Sequence, residues 1–63
     1  MYTNMKYIAV RTSNAGKSVN SVYPMWFEFH YQADKMCKKL NKTDVKDKEE
    51  WIVMTIPQYV ETL

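Results

Sequence analysis

The chain has 63 residues, 9 Lys/Arg against 7 Asp/Glu and a formal net charge of +2, with 46% hydrophobic and 14% aromatic residues. That apolar content folds rather than remaining disordered, and the length allows one domain over 1–63, with frayed ends expected over 1–4 and 58–63. A single core of this size contributes only about 3–5 kcal/mol and leaves little room for a deep catalytic pocket, so no enzyme and no cofactor are expected.

No run approaches the roughly 18 apolar residues of a membrane span. Met1–Thr12 lacks the order of a secretory signal, since Lys6 and Arg11 interrupt its apolar residues. Cys37 is the one cysteine. Small secreted domains rely on several disulfides, so a reducing, cytoplasmic setting is expected. No metal is expected either, because Cys37 and His30 are too few for a zinc site of about four ligands.

Met5–Thr12 reads as a strand, with Ile8 and Val10 on one face and Tyr7, Ala9 and Arg11 on the other. Ser13–Lys17 holds turn formers, and Gly16 is the natural left-handed position of a hairpin loop. Ser18–Tyr23 is a weaker second strand, antiparallel to the first. Pro24–Tyr31 fits either a strand continuation or a helix opened by Pro24, so the state of 24–29 stays open. Phe29, Ala33, Met36, Cys37 and Leu40 then recur at helical spacing, which predicts a helix from Glu28 or Phe29 to Leu40, with Asn41 as its cap. Lys42–Glu50 reads as a solvated loop. Trp51–Ile56 is the most apolar strand, ended by Pro57, and Gln58–Leu63 is a short extension or frayed tail.

The resulting fold is a small α+β, β-β-α-β domain: a three-stranded antiparallel or mixed sheet with one helix packed on one face. The helix must cover Ile8 and Val10, leaving the second face bare. The large apolar side chains then exceed what one small core absorbs, and an exposed apolar patch of several hundred Å² marks an interface.

Catalytic patterns are weak. On a helix, His30 and Cys37 stand about 10 Å apart, too far for a nucleophile–base pair, and Cys37 falls in the apolar stripe. Asp44, Asp47, Glu49 and Glu50 alternate with lysines and lack the spacing of a calcium loop. Gly16-Lys17-Ser18 ends like a phosphate-binding loop but lacks the first glycine.

The expected function is therefore a protein-interaction module, with Trp26, Phe27, Tyr31 and Trp51 as partner-binding residues or an exposed strand edge as the pairing site. The partner is another protein chain or a second copy, with a homodimer expected. The short length, the Lys/Asn/Tyr/Met-rich composition and the element order resemble small accessory proteins of phages and mobile elements. That resemblance implies an inhibitor or modulator docking on a larger host protein. The alternative is a nucleic-acid-binding domain in which Lys35, Lys38, Lys39 and Lys42 contact phosphates.

Overall fold

A computed structural model describes residues 6–63. Residues 1–4 and Met5, the expected start of the first strand, lie outside the described residues. Strands β1 (Tyr7–Ser13), β2 (Ser18–Phe27) and β3 (Glu49–Thr55) and helices α1 (His30–Thr43) and α2 (Ile56–Glu61) follow in the order β1-β2-α1-β3-α2. The strands form one antiparallel sheet ordered β2-β1-β3, so β1 is central and the last strand pairs beside the first, as the connection lengths imply.

The hairpin between β1 and β2 turns on three left-handed residues, the first of them Asn14 (φ 56°). The Lys17 N–H donates to the Asn14 carbonyl at 3.2 Å. Between them Ala15 (φ 57°) and Gly16 (φ 84°) adopt the positive angles of a type I′ turn, whose twist matches a hairpin. Strand β2 runs on through Pro24 to Phe27, which settles 24–27 of the open segment as strand, while Glu28 and Phe29 form the bend into α1. The strand continues by bulging: Tyr23, Pro24 and Met25 together stand opposite Ala9, between the pairs Val10–Val22 and Ile8–Trp26. A bulge on an edge strand is where proline is tolerated, because its missing N–H owes no ladder bond.

Helix α1 begins at His30 and continues to Thr43, three residues past the expected end at Leu40. It buries Ala33 and Cys37 and half-buries Leu40. The expected assignment of faces is reversed. The α1 side of the sheet carries Ala9, Trp51 and Val53, and Cys37 packs there; Ile8 and Val10 point to the opposite side. Small side chains decide this: Ala9 and Cys37 leave room for the indole of Trp51, whereas Ile8 and Val10 would hold the helix off.

The second face is not bare. The tail, read from sequence as a short extension or a frayed end, holds helix α2, whose Ile56 and Tyr59 pack on the cluster of Ile8, Val10 and Met54. Thr55 opens it with a reciprocal cap: the Gln58 N–H donates to Thr55 Oγ1 at 3.2 Å, and the Thr55 N–H donates to Gln58 Oε1 at 2.8 Å. Ile56, expected as the last strand residue, is already helical. The two small cores meet in β1, whose Ile8, Ala9, Val10 and Thr12 are all at most 1% exposed.

Candidate interaction surface

The corner where β2 passes into α1 keeps large apolar side chains in water. Met25 (54% exposed), Trp26 (65%), Phe29 (54%) and Tyr31 (66%) fall within seven consecutive residues. Each is exposed for a local reason. Met25 sits in the bulge. Trp26 pairs with Ile8 and shares its face, but β2 is the outer strand, beyond the part of the sheet that α2 covers. Phe29 is the extended residue before α1 (φ −120°, ψ 141°); Gln32 Oε1 accepts its N–H at 3.4 Å while the ring points away from the core. Tyr31 lies on the solvent side of α1 and stacks on Phe29 at 5.8 Å between ring centroids.

The four rings predicted to anchor a partner do not form one patch. Trp26 and Tyr31 are exposed at this corner. Phe27 alternates to the α1 side of the sheet, is half-buried, and stacks on Tyr23 at 6.2 Å. Trp51 is a correction: it is 4% exposed and sealed inside the subunit. Its indole N–H donates to the Asp44 carbonyl at 2.8 Å, and its backbone N–H donates to Asn41 Oδ1 at 2.7 Å. Asn41 Nδ2 in turn donates to the Trp51 carbonyl at 3.1 Å. Asn41 is thus not a helix cap but a side chain pairing with the outer edge of β3. Arg11 closes the other side, its guanidinium carbon 5.9 Å from the indole centroid. Met25 and Phe29 were not expected in the site. The sequence signal for both was their place beside Pro24 and before the helix, where neither alternation nor helical spacing assigns a buried side.

Both sheet edges resist strand addition. Asn41 occupies Trp51 on β3, and Glu49 and Thr55 donate their N–H groups to Lys46 and Gln58, so alternation leaves only Val53 with both groups open on that edge. On β2, Pro24 and two bulges interrupt the ladder, as edge strands that avoid pairing commonly do.

Charge is distributed on a different element. Lys35, Lys38, Lys39 and Lys42 are all exposed on α1, and Lys38 is bound to Asp34 at 3.2 Å. Arg11 lies 3.6 Å from both Asp44 and Glu49. The carboxyl of Glu49 is held below its ordinary value, first by the Lys46 N–H at 2.9 Å, then against some opposing burial by Asn20 Nδ2 at 3.0 Å and by Arg11. The Cys37 thiol is pushed up to about 11, chiefly by burial, with Asp34 and Glu50 adding to it.

Comparison with family models, curated proteins and solved structures finds no match. A cleft of about 500 Å³ lies at the far end of the sheet, lined by Thr12, Ser13, Gly16, Asn41, Glu49 and Glu50 and open to solvent. Of its two carboxylates, Glu49 accepts from the Lys46 N–H and from Asn20 Nδ2. Among the described residues no three His, Cys, Asp or Glu side chains gather where they would hold a metal ion. Also among them, no helix is long and apolar enough to cross a membrane.

Proposed function

We propose that this protein is a small non-enzymatic interaction module that docks on another protein chain through the corner formed by Met25, Trp26, Phe29 and Tyr31. The observation that carries the reading is the contrast between its two tryptophans: Trp51 is held by three hydrogen bonds in the core, while Trp26 stands 65% exposed in a seven-residue run that also exposes Met25 and the stacked pair Phe29 and Tyr31. Leaving such surface in water costs free energy that a partner recovers, and Trp and Tyr are the side chains that concentrate binding energy. The single reduced, buried thiol suits a cytoplasmic setting. Self-association as a homodimer, and action as an inhibitor or modulator of the kind seen in phage accessory proteins, belong to the same proposal.

Two measurements test it. Sedimentation equilibrium across a concentration series is expected to show dimers, and Trp26→Ala to weaken them by tenfold or more without moving the urea midpoint measured at concentrations where the protein is monomeric. A photoreactive phenylalanine analogue at position 26, introduced in the native cell, is expected to form protein adducts that the same analogue at Asp47 does not form. A protein that stays monomeric and gives no adducts at 26 overturns the reading. The lysines of α1 support a second reading as a nucleic-acid-binding domain. In that case the protein is retained on single-stranded DNA, with a log–log salt slope near −0.7 for each phosphate neutralised.

A further inference from the structure

The helical spacing of the four exposed lysines joins them to the aromatic corner. Tyr31, Lys35, Lys38, Lys39 and Lys42 stand at positions i, i+4, i+7, i+8 and i+11 of α1, on the side opposite Ala33, Cys37 and Leu40. At 1.5 Å per residue the stripe is about 16 Å long. Its head is the Phe29–Tyr31 stack. Asp34 is the only carboxylate on the helix and engages only Lys38. Lys35, Lys39 and Lys42 make no ion pair among the described residues. A side of the helix that begins with two stacked rings and continues as unpaired positive charge has a polarity, and a partner seated on the corner runs into the lysines.

Resting on the docking reading above, we propose that the partner segment is an acidic amphipathic stretch of protein, lying along α1 with its apolar side chains on the Phe29–Tyr31 end of the corner and its carboxylates over Lys35, Lys39 and Lys42. Charge complementarity sets the sign of the partner, and two observations select protein over nucleic acid. Every cation on the stripe is a lysine; the one arginine, whose planar fork best matches phosphate, is turned inward onto Trp51 and tied to Asp44 and Glu49. The head of the stripe is two exposed rings already stacked on each other, a surface that calls for apolar side chains rather than a phosphate backbone.

The probes are a fluorescent glutamate–tyrosine copolymer in which glutamate predominates, polyglutamate, and oligothymidylate of matched charge, each titrated by anisotropy at low and moderate salt. The copolymer is expected to bind about threefold to tenfold more tightly than polyglutamate and to weaken as salt rises. The double variant K35Q/K39Q, altered at solvent-exposed positions only, should lose about threefold to tenfold in affinity. Tyr31→Ala should abolish the preference for the copolymer. The proposal is overturned if the copolymer does not bind at low salt, if K35Q/K39Q binds it like the parent protein, or if oligothymidylate binds as tightly. Adducts at position 26 that persist alongside any of those results leave the docking corner standing and remove only the acidic partner.

Discussion

Asn41 shows how one side chain can act as a strand. Its carboxamide donates to the carbonyl and accepts from the N–H of Trp51, so it satisfies both backbone groups that an added strand would use. Removing it leaves those groups unpaired in a partly buried setting, at about 1–3 kcal/mol. Asn41→Ala should therefore lower the urea midpoint, and Asn41→Asp should lower it further at neutral pH, because a carboxylate would face the Trp51 carbonyl. Sedimentation of Asn41→Ala should also reveal association through the freed edge. The hairpin turn provides a test of opposite sign. Ala15 pays the left-handed penalty of an L-residue at φ 57°, so Ala15→Gly should raise stability by about 0.5–1 kcal/mol. Gly16→Ala should lower it by about 1 kcal/mol. There the new Cβ would meet only Ile52 Cδ1 at 3.6 Å, an ordinary contact, so the backbone carries the cost.

At the scale of elements, α2 decides which surface is free. It has six residues, none of them buried, yet its Ile56 and Tyr59 close the sheet face that carries Ile8 and Val10. Tyr59→Ala should cost about 1–2 kcal/mol, as expected for partial burial. Hydrogen exchange should then quicken in α2 and at β3 before it does in α1. The helix was legible in principle: Thr55-Ile56-Pro57-Gln58 is the hydroxyl-x-x-Gln pattern of a capping box with proline in the first turn. Read as a strand terminator, Pro57 conceals it, because the same residue ends a ladder and opens a helix. Helix α1, by contrast, follows directly from its apolar spacing, and it runs past Asn41 because that side chain bonds Trp51 instead of capping the helix. The run Pro24–Phe27 had no such spacing, and only pairing with β1 made it strand.

At the scale of the whole molecule, two shifted groups among the described residues predict how stability depends on pH. Glu49 titrates below its ordinary value of 4.5 in the folded chain, so its contribution is complete above that pH and is lost as pH falls through the folded value. Cys37 moves from 9.0 to about 11, so folding favours its neutral thiol; that contribution is complete below about 9 and is lost as pH rises toward 11. Urea midpoints plotted against pH should form a plateau with two falling limbs. Glu49→Gln should flatten the acid limb and Cys37→Ala the alkaline one. The thiol should likewise react with alkylating agents at the rate of global unfolding.

The order of chain elements through the third strand, the antiparallel hairpin, the left-handed Gly16 and the amphipathic helix were determined by local chemistry: β-branched runs, turn formers and a 3.6-residue period act over a few residues and are visible in one dimension. Which sheet face lies under α1, whether Trp51 or Trp26 is sealed, and what Asn41 bonds to were decided only in three dimensions. Each depends on volumes and hydrogen-bond partners contributed from distant parts of the chain. A tryptophan is buried where Ala9 and Cys37 leave it space, and alternation along its own strand carries no record of that space.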